Sequence, residues 1–234
     1  MLNIQQFRYD VDNNLGYLIY GGKAAIAVDP GAAEKMTAFL AGHGLALQAI
    51  VNTHTHPDHT IGNDTIHSRT GAGIIGMDTL ISNPVLHLED ERIEVYHTPG
   101  HSQDSVVFRA GSNLITGDTL FIGKAGRCFT GDLDRFFESI KLIMSFPDST
   151  FIYPGHDYVL EYMETARQVE PDNPAIDDFL KTYSPDLVRS TLAREYQINP
   201  TLRFNTASLI GILETRGLPV ETELDRWRSV MSIV

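Results

Sequence analysis

The first half of the chain alternates short apolar runs with turn signals. Tyr17-Leu18-Ile19-Tyr20, then Gly21-Gly22, then Ala24 to Val28 reads as strand, glycine turn, strand. Asp29-Pro30-Gly31 closes the second strand, and AAEKMTAFLAGHG predicts a helix with glycine near its end. Leu47 to Val51 predicts a buried strand, and GAGIIGM, RIEVYHTPG, SVVFRAG, NLITGDTLF and STFIYPG predict more. DRFFESIKLIMSF has helical spacing. After about residue 158 the pattern changes. YVLEYMETARQV, AIDDFLKTYSPDLVRSTLAREYQ and TASLIGILETRG predict helices, with no strong strand among them. The fold class expected is α/β, with a catalytic domain over residues 1–166 and a C-terminal helical region over 167–234. No internal repeat or low-complexity tract interrupts it.

Composition narrows this picture only a little. The 234 residues are 42% hydrophobic and 21% charged, an ordinary globular balance. No apolar run approaches the ~20 residues that span a bilayer, so no membrane partner is expected. The N-terminal stretch lacks a basic patch followed by an apolar run, so no signal peptide is expected. A single cysteine, Cys128, rules out an internal disulfide framework. Together these favour a cytoplasmic protein. The net charge of −12 would repel DNA or RNA, so no nucleic-acid partner is expected.

Candidate chemistry concentrates in NTHTHPDHTIGN, residues 52–63, which places His54, His56, Asp58 and His59 within six positions. The cluster follows a strand end. In extended chain, residues two apart face the same side, so His54 and His56 can share a pocket. Pro57 and the onset of a helix let Asp58 and His59 reach it from another angle. Neutral imidazole and carboxylate suit Zn²⁺, Fe²⁺ and Mn²⁺. His101 in TPGHS, Asp118 in ITGDTLF and His156 in IYPGHDY repeat one pattern: strand, turn residue, ligand-type residue. Taken alone, each is an ordinary hydrogen-bonded polar residue or a helix cap. Beside the cluster they complete a set of seven, able to hold two divalent ions if one carboxylate, Asp118, bridges. His43, His67, His87 and His97 lack such a setting and are expected to be structural or surface residues, with His97 near enough to His101 to support it.

With these residues in view, the chain resembles the metallo-β-lactamase-fold superfamily. VDPG, THTHPDH, TPGHS, TGDTLF and YPGHDY carry the resemblance, in that order. Within the superfamily it looks most like glyoxalase II, the hydroxyacylglutathione hydrolases, through GDTLFIGKAGRCFTGD, EPDNPAI and STLAREYQINPTLR. The resemblance implies a four-layer αββα sandwich with metals at one edge of two sheets. It implies His54, His56 and His101 on a first ion, Asp58, His59 and His156 on a second, and Asp118 between them. Zinc is the ion it implies first, with iron or manganese as substitutes. It also implies Arg127, Tyr158 and, more loosely, Arg203 as substrate contacts, with the C-terminal helices walling the pocket.

The mechanism expected is attack of a metal-bridging hydroxide on a thioester carbonyl, with Asp58 orienting the nucleophile and a thiolate leaving. The substrate expected is a small-molecule thioester, hydroxyacylglutathione in type. One departure stands out: Phe204-Asn205-Thr206-Ala207 follows NPTLR without a lysine, and fewer cations weaken recognition of glutathione's carboxylates. FNTASLIGILETRGLPVETELDRW also resembles the end of persulfide dioxygenases. That rival enzyme would use one iron on His54, His101 and Asp118. A lactonase or β-lactamase-type hydrolase of the same fold is a second rival, and a non-catalytic metal-binding module a third.

Overall fold

The computed structural model describes residues 2–9 and 13–234. Residues 1 and 10–12 lie outside them. One sheet has five strands in sequence order: β1 (Asn3–Arg8), β2 (Leu15–Tyr20), β3 (Ala24–Val28), β4 (Ala46–Val51) and β5 (Gly73–Ile74). The second begins with β6 (Val85–Leu88), β7 (Glu91–His97), β8 (Val106–Ala110) and β9 (Asn113–Gly117). A separate small hairpin follows, β10 (Leu120–Phe121) with β11 (Lys124–Ala125). Next, β12 (Phe151–Pro154) and β13 (Ser190–Thr191) complete the second sheet, whose spatial order is β13-β12-β9-β8-β7-β6. The helices are α1 (Ala33–His43), α2 (Pro57–Thr60), α3 (Asn63–Thr70), α4 (Met77–Ser82), α5 (Leu133–Met144), α6 (Val159–Val169), α7 (Pro174–Leu180), α8 (Leu192–Ile198), α9 (Ala207–Thr215) and α10 (Glu223–Met231). None of them is long and apolar enough to cross a membrane.

Period-two patterning builds the layers. On β2, β3 and β4, Tyr17, Ile19, Ile26, Val28 and Val51 face a central core shared with Ile93, Val95, Val106, Phe108 and Ile115 of the second sheet. Their alternate neighbours Leu18, Ala25, Ala27 and Ile50 face outward onto Met36 and Leu40 of α1 and Ile66 of α3. On the far side, Val107, Leu114 and Ile152 pack against Phe136, Ile140 and Ile143 of α5, Leu192 of α8 and Trp227 of α10. Helix, sheet, sheet, helix is therefore the layer order, as expected. Phe136 and Trp227 meet edge to face at 5.6 Å, which ties α10 to α5.

Several elements depart from expectation. GAGIIGM forms strand only at Gly73–Ile74, because Gly71 takes a left-handed φ of 74° and ends α3 there. AIDDFLKTYSPDLVRSTLAREYQ is two helices rather than one. Ser184-Pro185 interrupts it, Ser190–Thr191 pairs antiparallel with β12, and the Thr191 hydroxyl then caps α8 by accepting from Arg194 N at 3.2 Å. Strands β1 and β6 and helices α3, α4 and α10 form without a clear signal in the sequence pattern.

Strand ends deliver the site. β4 ends at Val51, β7 at His97, β9 at Gly117 and β12 at Pro154, each within a few residues of a candidate ligand. β9 and β12 run parallel with Gly117 opposite Pro154, so Asp118 and His156 emerge side by side. The two sheets are stitched where Val106 N donates to Thr53 O at 2.8 Å.

Candidate metal centre

All seven candidate ligands converge. His54 Nε2 lies 3.0 Å from His56 Nδ1, which lies 3.1 Å from His101 Nε2. His59 Nε2 is 3.2 Å from His156 Nε2 and 3.3 Å from Asp118 Oδ1. Asp118 Oδ2 is 3.5 Å from His101 Nε2 and 3.4 Å from His156 Nε2. Asp58 Oδ2 is 3.4 Å from His156 Nε2. Three groups each bring their ligand atoms within 4.8 Å of one another: His54, His56 and His101; His54, His59 and Asp118; and Asp58, His59 and His156. Five of the seven side chains are buried, with His56 and Asp58 partly open.

The outward nitrogens explain which atoms face inward. His59 Nδ1 donates to Asp29 Oδ2 at 2.9 Å, since a carboxylate only accepts. Thr53 Oγ1 gives its proton to Asp29 Oδ2 at 2.7 Å and so accepts from His54 Nδ1 at 3.1 Å. His101 Nδ1 donates to the Arg127 carbonyl at 3.1 Å. Each of these imidazoles therefore aims an Nε2 lone pair into the centre, the orientation that a metal ligand needs. Lone pairs packed about 3 Å apart repel unless a cation lies among them. Asp118 Oδ1 is buried and makes no hydrogen bond of normal geometry among the described residues, although His59 Nε2 stands 3.3 Å away. A Cβ at Gly155 would stand 2.1 Å from that oxygen and 2.9 Å from His59 Cε1. Five imidazoles and two carboxylates fit divalent ions of the Zn²⁺, Fe²⁺ or Mn²⁺ type.

Electrostatics agree with this polarity at His54 and His101, whereas His59 carries a proton that a bound cation would displace. Burial pushes His54 down to about 3 and lowers His101 as well, so both stay neutral and able to ligate. Burial opposes protonation of His59, yet Asp29 and Asp118 outweigh it and hold the imidazolium well above the usual histidine range. Burial likewise opposes ionisation of Asp118, but His59 and His156 hold its carboxyl well below the usual range. Hydrogen bonds from His156 and Asn14 do the same for Asp58.

Asp29, Thr53 and Asn14 belong to the centre although sequence reasoning did not single them out. Asp29 also accepts from Thr53 N at 2.8 Å, and its own backbone is left-handed, with φ of 49°. VDPG was the visible signal for it. Asn14 is fully buried and donates through Nδ2 to Asp58 Oδ2 at 2.9 Å. The set-aside histidines make other contacts: His43 Nδ1 with Phe39 O, His67 Nδ1 with Ala72 O and His97 Nε2 with Gln103 O.

The expected substrate contacts divide. Tyr158 stacks on His156 at 4.8 Å, its ring inclined by only 10°. Arg127 lies over the Phe129 ring at 4.9 Å, and that exposed ring stands 5.1 Å from His101 and 5.8 Å from His56. Arg203 is not brought to the centre. It forms a two-point ion pair with Glu170 at 2.8 and 2.9 Å, and its Nη1 donates to Tyr196 O. Beside Arg127 opens a cavity of about 460 Å³ that Lys124, Tyr162, Arg228 and Met231 also line. Lys124 went unnoticed in the sequence. It sits over the Tyr162 ring at 5.3 Å, and burial lowers its pKa.

The sequence pattern of the metallo-beta-lactamase superfamily matches residues 9–86 and 82–175. The chain belongs to this superfamily, and within it to the family of the hydroxyacylglutathione hydrolases. The hydroxyacylglutathione hydrolase of Chromohalobacter salexigens is 37% identical over 210 residues, 82% of either chain. That of Vibrio cholerae is 30% identical over 98% of this chain and 99% of its own. Among solved structures, ETHE1 from Myxococcus xanthus shares the fold with a TM-score of 0.67, at 22% identity over 97% of this chain and 99% of that one. The BLEG-1 B3 metallo-beta-lactamase shares it equally, covering 86% of this chain and 99% of that one.

Proposed function

We propose that this metal-dependent hydrolase cleaves the thioester of a hydroxyacylglutathione-type small molecule. The observation that carries the reading is the inward aim of the pinned imidazoles, toward one pocket shared with Asp58 and Asp118. In it, His54, His56 and His101 would hold one ion and Asp58, His59 and His156 a second, with Asp118 within reach of both groups. Zinc is the ion assigned, since it accepts this mixture of imidazole and carboxylate without a redox change. When bound, such ions lower the pKa of water toward neutrality and polarise a carbonyl.

The chain's own residues supply the rest. Asp58 stays ionised and partly open to solvent, so it can orient an attacking water. Phe129 and Tyr158 flank the histidines and leave the acyl group a walled approach. Lys124 and Arg127 line the adjoining cavity and offer charge-assisted hydrogen bonds to the carboxylates of a thiol carrier such as glutathione. A thiolate leaves readily, so no strong general acid is required. Residues 167–234 act as a C-terminal region that walls this cavity, as Arg228 and Met231 do.

The test is release of free thiol from S-lactoylglutathione by the purified chain, beside oxygen uptake with glutathione persulfide. Thiol release without oxygen uptake is expected. Oxygen uptake alone would replace the hydrolase by a persulfide dioxygenase.

A further inference from the structure

The hairpin that follows Asp118 is held by the helical end of the chain. β10 and β11 pair through Leu120 with Ala125 and Phe121 with Lys124, and no other strand pairs with them among the described residues, although Thr116 Oγ1 of β9 donates to Leu120 O at 2.7 Å. Glu195 of α8 is fully buried beneath their turn. Its Oε2 accepts from Gly123 N at 2.8 Å and from Asn199 Nδ2 at 2.9 Å. Thr201 Oγ1 accepts from Ala125 N at 2.9 Å and donates to Asn199 Oδ1 at 2.6 Å. Two buried backbone donors of the hairpin therefore end on side chains from residues 195–201.

Both ends of this segment touch the metal centre. It starts at Asp118 and closes at Arg127, whose carbonyl takes the His101 Nδ1 proton. Gly126 N donates to Thr119 O at 3.2 Å, and a Cβ on Gly126 would stand 1.8 Å from Asp118 O. The two ends are thus locked together, and a shift of the hairpin displaces both. A carboxyl is an expensive choice for mere filling here. Burial pushes Glu195 up to about 7, and its Oε1 has no hydrogen bond of normal geometry, although the Ser190 hydroxyl faces the carboxyl. What no apolar side chain of that size provides is the acceptor for Gly123 N.

We propose that Glu195 is a positioning residue of the metal centre: by accepting the Gly123 N–H it fixes the hairpin, and through the hairpin's ends the Asp118 carboxylate and the carbonyl that orients His101. The inference rests on Asp118 and His101 being metal ligands.

The experiment compares Zn²⁺ affinity, by chelator competition, for the full wild-type chain, Glu195→Gln and Glu195→Met, with far-UV circular dichroism of the metal-free forms. Gln keeps an acceptor for Gly123, whereas Met keeps the bulk and offers none. The Met variant should lose about tenfold or more in affinity, the scale for a residue that orients a ligand, while Gln stays within about threefold of wild type. Equal affinity of the Met variant and wild type would overturn the inference. If the Met variant does not fold, Thr201→Val against Thr201→Ser decides. Loss in Val alone supports the inference, and equal affinity overturns it. A wild-type chain that takes up no metal would remove the ligand assignment beneath it, which is a separate result.

Discussion

His59 Nδ1 donates to Asp29 Oδ2 at 2.9 Å, and both side chains are wholly shielded from solvent. The same carboxylate receives Thr53 through its amide and its hydroxyl, so one buried anion sets the aim of His59 directly and of His54 through Thr53. The substitution Asp29→Asn tests this dependence, because it removes the charge and presents an NH₂ to donors. Metal affinity is expected to fall about 10- to 100-fold, the usual cost of losing an orienting carboxylate. Chelator competition reads this, and unchanged affinity would show that the imidazoles are held by packing alone.

His156→Ala separates two ions from one. The residue serves only the group formed with Asp58 and His59, and leaves His54, His56 and His101 intact. Bound metal should drop from about two ions per chain toward one. Hydrolysis should fall on the order of a hundredfold, comparable with loss of one transition-state contact in other acyl-transfer sites. Full activity in this variant would make the second ion dispensable.

Lys124→Ala and Arg127→Ala address the thiol carrier. Both residues border the cavity rather than the cluster of ligand atoms. Each change should raise KM for a glutathione thioester about tenfold with little change in kcat, as expected when uniform binding is removed. Arg203→Ala should leave KM unchanged and instead lower the melting temperature, because it strands the buried Glu170. A KM effect at Arg203 equal to that at Arg127 would restore it as a substrate contact.

Glu195 gives stability a defined pH dependence. Its carboxyl titrates at about 7 when folded, against 4.5 for an unperturbed glutamic acid. The stability contributed by its neutral form is fully present below 4.5 and lost as pH rises through about 7. The loss is on the order of 3 kcal/mol. Denaturant unfolding of the metal-free chain should therefore show Glu195→Gln gaining on wild type between about pH 5 and 8. A difference that stays constant across this window would mean that the carboxyl is not buried in its neutral form.

Much of the site was legible because its residues are chemically conspicuous and follow strand ends. His54 through His59, His101, Asp118 and His156 could be assembled from residue type and position alone. What holds them was harder to see. Asp29 resembles an ordinary turn residue in VDPG, and only the fold carries it under His59. Asn14 reaches Asp58 from a segment 44 residues earlier. Arg203 is a different case: a cation near NPTLR reads as a ligand contact, and only the fold shows Glu170 paired with it. In the fold, hydrophobic periodicity found the long buried strands and amphipathic α5 and located β5 while overstating its length, whereas the short β13 depends on a neighbour that no local pattern reveals.

Elemental analysis of the purified chain tests the central claim most directly. Two divalent ions per chain, lost together with thioester hydrolysis on chelation and regained with it on adding Zn²⁺, is the predicted result. Hydrolysis at an undiminished rate by a chain shown to be free of metal would contradict the account.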